Sequence, residues 1–297
     1  MASARTLRLP NGRRFEYVVA GRGPRTLIVH PGGPGLTSEY LSNLLRLAGR
    51  GRRVVLFHPR GVGRSYRPRS ARAYTLAALV EDLDAARNVL HLDQFDLLGF
   101  SAGGFVAIEY ALAHSEALRS LLLCGTAASA ADLRTANRLI LRRATRIQRK
   151  QLRELERARA FRTRAYQKLT EELGQPFQTR YLRAPSSDLA ASRLNPAVYR
   201  AMMTRTGNEF VVDGTLARWD ARPRLRRLRL PTLVLVGQDD FLYPSSRGIA
   251  RRIPGSVFVA LPRASHLANL ERPLAFRSAV RKFLRSARVA GRPGHPR

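Results

Sequence analysis

The run Gly99-Phe100-Ser101-Ala102-Gly103-Gly104 sets a serine among small residues. An apolar stretch precedes it and a helical pattern follows, the setting in which Gly-x-Ser-x-Gly forms a nucleophile elbow. Small side chains at 99 and 103 let a strand and a helix approach closely, and the serine is presented at the helix N-terminus. A serine hydroxyl is a weak nucleophile unless a base, itself oriented by an acid, takes its proton. After such an elbow the acid is expected first and the histidine last. The apolar run Leu233-Val234-Leu235-Val236 leads through Gly237-Gln238 to Asp239 and Asp240. Asp240, three residues past the glycine, is the expected acid, and Asp239 is read as a turn or capping residue. His266, in the loop after the next apolar run, is the expected base. Of the other histidines, His91 and His114 fall near helix ends and His295 lies in the tail. His30 and His58 end strands on the catalytic edge and could line the site.

A tetrahedral intermediate needs two N–H donors for its oxyanion. Ala102, at the start of the helix, offers one. The second is expected from Gly33 in Pro31-Gly32-Gly33-Pro34-Gly35, where glycines free the backbone to turn its N–H groups inward. Phe100, Ala102 and Phe241 would surround the serine with apolar surface. This chemistry calls for neither a metal nor an organic cofactor.

These groups must be positioned by a mostly parallel, twisted sheet with helices on both faces, an α/β architecture. Strands are predicted over 15–20, 26–30, 54–58, 96–100, 118–124, 232–236 and 257–261. Helices are predicted over 76–90, 102–114, 245–252 and 272–286. Between the two strand-rich parts, 131–173 reads as one long arginine-rich helical stretch. The domain reading is therefore a first part of the core at 1–126, a helical cap at 127–218, a second part of the core at 219–286, and a disordered basic tail at 287–297.

The chain has 297 residues, with 53 Lys and Arg against 21 Asp and Glu, a net charge of +32. Only Lys150, Lys168 and Lys282 are lysines, so nearly all of the positive charge is arginine. Such a surface could attract nucleic acid, anionic lipid or an acidic substrate. The arginines are scattered along the chain and no nucleic-acid-binding motif accompanies them, so a general arginine bias accounts for them better. No apolar stretch approaches the roughly 20 residues of a membrane span. Residues 1–17 carry arginines and no apolar core of a signal peptide, and Cys124 has no second cysteine to pair with. These features lead to the expectation of a cytoplasmic protein. Its partner would be a small molecule or short peptide, and its oligomeric state is open.

The residues also resemble a known group, the α/β-hydrolases of the proline iminopeptidase type. The resemblance rests on Pro31-Gly32-Gly33-Pro34-Gly35, on Arg60-Gly61-Val62-Gly63-Arg64-Ser65, and on Asn208-Glu209-Phe210 with Gly214-Thr215-Leu216 and Trp219-Asp220. It extends to Pro231-Thr232-Leu233, Pro244, His266 and Glu271-Arg272-Pro273, covering about residues 12 to 285 and fading across the cap helices. The resemblance implies a Ser-His-Asp hydrolase whose Glu209 binds the free amine of a substrate's first residue. Five positions depart from the family's pattern: Phe100 and Ala102 at the elbow, Phe241 where a second amine-binding glutamate usually follows the catalytic aspartate, His58 where an aspartate usually precedes the Arg-Gly turn, and Pro31 in place of the first loop's histidine, with His30 one place earlier.

Three functions fit the residues. The first is a proline iminopeptidase-like aminopeptidase. The second is an esterase, lactonase or amidase with the same triad and a more apolar pocket, which accounts for the missing second carboxylate. The third is a basic nucleic-acid- or membrane-binding protein on a hydrolase scaffold. A serine rather than an aspartate at the elbow argues against haloalkane and epoxide cleavage.

Overall fold

Apolar runs buried on both faces, as the central strands of a parallel sheet must be, form the middle of the molecule in a computed structural model that describes residues 3–184 and 186–290. The chain opens with β1 (Ser3–Arg8), β2 (Arg14–Ala20), β3 (Arg25–His30) and β4 (Arg52–Phe57), with a 3-10 segment at Glu39–Leu47. It continues through α1 (Leu76–Val89), β5 (Phe95–Phe100), α2 (Ala102–Ala113) and β6 (Leu118–Cys124). An insertion follows: α3 (Ala130–Arg143), α4 (Arg146–Arg157), α5 (Arg164–Gln178), α6 (Ser187–Ala191) and α7 (Pro196–Met202). The core resumes with β7 (Thr232–Gly237), α8 (Tyr243–Arg252), β8 (Val257–Leu261), α9 (Ala268–Glu271) and α10 (Pro273–Ala290).

Among the described residues the strands make one eight-stranded sheet in the order β1-β2-β4-β3-β5-β6-β7-β8. β2 pairs antiparallel with β1 and β4, and the pairings from β4 to β8 are parallel. Two apolar cores flank it. Phe105, Ile108, Leu79 and Leu83 pack on one face, and Leu41, Leu44, Phe276 and Val280 on the other. The buried members of a third cluster, including Ile140, Leu152, Tyr166 and Leu169, come from the insertion, and Phe241 of the core packs against it. The insertion leaves and rejoins the core at one place, where Ser129 bridges Asp220 and the Ala130 and Ala221 N–H groups donate to Trp219 and Ala128 carbonyls.

The structure corrects the sequence reading in three places. β1 is an edge strand in which Leu7 is buried and Ala4, Arg5, Thr6 and Arg8 are exposed, and its polar sequence hid it. The predicted helical stretch 131–173 is three helices. It breaks at Ala144, which is extended, and Thr145, which caps α4 in a reciprocal box with Gln148. The last helix runs through Ala290, so the tail predicted to start at 287 is helical for four more residues; the stretch 288–290 has no Gly or Pro to end it. Residues 291–297 of that predicted tail lie outside the described residues.

β5, α2 and the loop after β3 cross in close backbone contact. A Cβ on Gly99 would collide with the Gly103 carbonyl and the Gly104 Cα, and one on Gly103 with the His30 and Pro31 carbonyls. These neighbours are backbone and cannot swing away. Gly103→Ala should therefore lower stability by at least about 1–3 kcal/mol, the usual cost of overpacking a tight site. Chemical denaturation would show it as a lower midpoint at unchanged slope, and an unchanged midpoint would contradict the packing described.

Candidate active site

Ser101 sits between β5 and α2 with φ 53° and ψ −121°, a left-handed backbone that L-residues rarely adopt. Such a conformation costs about 1–3 kcal/mol and persists only when its surroundings over-determine it. Here the Ser101 N–H donates to the Cys124 carbonyl (2.8 Å), and the Ser101 carbonyl accepts from the Gly104 N–H (2.9 Å) and the Thr126 hydroxyl (2.7 Å). The strand on one side and the helix on the other thus fix the turn, and the serine side chain is left half-exposed in a cavity.

His266 Nε2 lies 2.9 Å from Ser101 Oγ, and its Nδ1 lies 3.0 Å from Asp240 Oδ2. A carboxylate can only accept, so Nδ1 carries the proton and Nε2 is free to accept from the serine. Asp240 is buried, and its other oxygen accepts from the Leu242 N–H at 2.8 Å. Asp239 points away, bonded to Tyr181 (2.6 Å) and facing Arg180. The loop carrying His266 is anchored by the insertion. His266 and Leu267 donate their N–H groups to the Phe177 and Gln178 carbonyls at 2.9 and 3.0 Å, which are among the last carbonyls of α5 and have no partner in their own helix.

The cavity measures about 600 Å³ and is walled by core and insertion together. Ser101, His266, Gly33, Phe241 and Glu209 all line it. Among the described residues neither the Gly33 nor the Ala102 N–H has a protein acceptor. Gly32, by contrast, donates to the Tyr40 hydroxyl at 2.7 Å. Phe241 stacks tilted against the His266 ring at 4.8 Å between centroids. Phe100 also borders the cavity, but it is only 1% exposed and packs edge-on to His266 and Tyr40 and tilted against Phe276, so it supports the His266 ring. Neither His30 nor His58 makes a hydrogen bond to Ser101 or His266. His30 bonds the Pro31 carbonyl at 3.0 Å, and burial pushes its pKa down to about 4.

Glu209 accepts from the Tyr199 hydroxyl at 2.6 Å, and its N–H donates to the Tyr166 hydroxyl at 2.9 Å. The sequence reading missed both tyrosines. They sit on the helices α5 and α7 without a motif, and only the fold brings them to the glutamate. No group of three or more His, Cys, Asp or Glu among the described residues is placed to hold a metal ion, and no described helix is long and apolar enough to cross a membrane.

A strand–serine–helix elbow on a mostly parallel sheet, with a histidine and an aspartate delivered from the strands that follow, defines a serine hydrolase of α/β architecture. The chain belongs to the family whose model is described as alpha/beta hydrolase fold, which matches residues 25–273. It is 31% identical to a proline iminopeptidase of Levilactobacillus brevis, over 90% of this chain and 92% of the relative. Among solved structures, the proline iminopeptidase of Mycobacterium smegmatis superposes with a TM-score of 0.85 at 28% identity, over 98% of this chain and all of the other. The protein VinJ superposes equally well, with a TM-score of 0.85 at 26% identity, over 96% of this chain and 99% of the other.

Burial raises the Glu209 carboxyl above the usual range, and the Tyr199 hydrogen bond offsets this only in part. The folded chain then holds this proton to higher pH than the unfolded chain does, so stability is lost as pH rises from about 4.3 through the folded value. Glu209→Gln keeps an acceptor for Tyr199 and has no proton to lose. Its melting temperature should gain on that of the parent protein between about pH 4 and about pH 8. A difference that stays constant with pH would show that the carboxylate carries no burial penalty.

Proposed function

We propose that this serine hydrolase is a proline iminopeptidase-like aminopeptidase, working through an acyl-enzyme on Ser101. The observation that carries the reading is that a half-buried carboxylate, Glu209, lines the cavity of a complete serine–histidine–aspartate chain, whereas Glu171, the other glutamate on its wall, is exposed to solvent. A substrate ammonium paired with Glu209 would gain a charge-assisted hydrogen bond in a site where water competes poorly. That pairing would place the first residue's carbonyl carbon at Ser101 and select against blocked N-termini. Residues 127–218 act in this reading as the cap that supplies Glu209 and closes the site.

Ser101 Oγ attacks the carbonyl carbon while His266 Nε2 takes its proton, and Asp240 orients the ring and stabilises the imidazolium. The oxyanion is received by the N–H groups of Gly33 and Ala102. His266 then protonates the leaving amine, and the C–N bond breaks. Water, deprotonated by the same histidine, attacks the ester and releases the free residue. The step is complete without metal or cofactor.

A second reading has its own observation: Phe241, beside the base, stands where a second amine-binding carboxylate would be expected. It points to a small apolar ester, lactone or amide. Release of a reporter amine from proline anilide and from its N-acetylated twin separates the two, with Ser101→Ala as control. Cleavage of the free-amine substrate alone, lost in the variant and reduced at least about 100-fold in Glu209→Gln, is the expected result. Ser101-dependent cleavage of short nitrophenyl esters with both anilides untouched would replace the aminopeptidase by an esterase.

A further inference from the structure

The loop that carries Gly33 is tied to the sheet through a residue outside the triad. The Ser38 N–H donates to His58 Nε2 at 3.1 Å, and Ser38 Oγ lies 2.7 Å from the same nitrogen. A ring nitrogen that accepts from a backbone N–H holds no proton, so the proton is on Nδ1, which faces Glu16 Oε2 at 3.2 Å. Glu16 is fixed in turn by Arg64, whose backbone N–H and Nε donate to it at 2.9 and 3.0 Å. The Ser65 hydroxyl donates to the His58 carbonyl at 2.7 Å and accepts from the Glu16 N–H at 2.9 Å. A Cβ on Gly63 would collide with both Glu16 Oε2 and His58 Nδ1, so the Arg-Gly turn closes directly over the pair.

Ser38, His58 and Glu16 repeat the contact order of a catalytic serine, histidine and acid. Ser38 is 1% exposed, however, and its hydroxyl cannot meet a substrate. What the arrangement does hold is backbone. Residues 32–38 leave the end of β3 and would need a fixed path for any N–H in them to face Ser101. At one end the Tyr40 hydroxyl holds Gly32, and at the other His58 holds Ser38. From the insertion, the Asn195 N–H donates to the Gly35 carbonyl (2.9 Å) and the Thr37 N–H to the Arg193 carbonyl (3.0 Å).

We infer that His58, oriented by Glu16, is a positioning residue that fixes the 32–38 loop through Ser38 and thereby aims the Gly33 N–H at the reacting carbonyl. The inference rests on the reading of Gly33 as an oxyanion donor. Loss of the anchor lets the loop relax, and an oxyanion donor acts only at the distance the transition state requires. The effect falls on the rate of acylation rather than on substrate affinity, because the donor is aimed at charge that develops only in the transition state.

The test compares the parent protein with His58→Ala, His58→Gln and Ser38→Ala. Backbone hydrogen exchange of the 31–38 peptides reports the loop, and the rate at which a fluorophosphonate probe labels Ser101 reports the oxyanion site. In His58→Ala the loop should exchange faster while the β5 and β6 peptides do not, and labelling should slow by roughly 10- to 100-fold. His58→Gln, which restores an acceptor for Ser38, should recover most of both signals. On whichever substrate is turned over, kcat should fall with KM little changed. Unchanged exchange at 31–38, or a loosened loop with full labelling speed, overturns the proposal. Should His58→Ala fail to fold, Ser38→Ala, which removes only the hydroxyl contact, must show the same two changes in smaller size. If the parent protein itself does not label, the nucleophile reading falls, and loop exchange in His58→Ala decides the anchoring by itself.

Discussion

The backbone of Ser101 is held where a serine does not rest by itself, and much of the molecule can be understood as what keeps it there. A positive φ between a strand and a helix demands that the strand, the helix and the neighbouring loop all come close. That closeness requires hydrogen at the Cβ positions of residues 99, 103 and 104, where side chains would meet backbone carbonyls or Thr126. β5 is buried along its length between β3 and β6, so the turn cannot relax by moving the strand. The local strain is thus spread over a sheet whose two apolar cores far outweigh it.

Around this fixed point the site is assembled from distant pieces by unsatisfied backbone groups. The last carbonyls of α5, which its own helix cannot pair, receive the N–H groups of the histidine loop. The segment at 193–195 pairs with the loop that carries Gly33, including an isolated bridge between Leu36 and Leu194. The insertion is therefore bonded to both the His266 loop and the loop that carries Gly33. Its position and the geometry of the site are mechanically linked, and movement of one disturbs the other.

Charge is distributed with the same economy. The one deeply buried ion pair, among the described residues, joins Arg60 and Asp82, each at most 3% exposed, and Arg60 also donates to the Ala73 and Ala78 carbonyls. It ties the Arg-Gly turn to α1, beneath the His58 anchor. Breaking such a pair from one side leaves a charge without compensation, which costs about 3–5 kcal/mol. The exposed arginines of α4 differ in kind. Their face is solvated, and exposed pairs such as Lys150–Glu154 contribute little. The large net charge thus bears on what the surface attracts, and little on what holds the fold.

The alternation of buried apolar runs with helical spacing is a local property. From it the parallel sheet, its helices and the elbow at 99–104 were legible, down to the bounds of Leu118–Cys124 and Val257–Leu261. The order of Ser101, Asp240 and His266 was legible too, because strand ends are where a sheet delivers side chains to one edge. What could not be read were contacts with no sequence period. Tyr166 and Tyr199 reach Glu209 from two helices, Phe177 and Gln178 anchor the His266 loop, and Glu16 meets His58 across 42 positions. β1, too polar to announce itself, was decided by pairing with β2, and the split of 131–173 by a cap at Thr145. The sequence by itself determined which residue types could do the chemistry and the scaffold that would carry them. Tertiary structure alone decided which of them touch, because hydrogen-bond partners far apart in the chain are chosen by distance in space, on which spacing along the chain places no constraint.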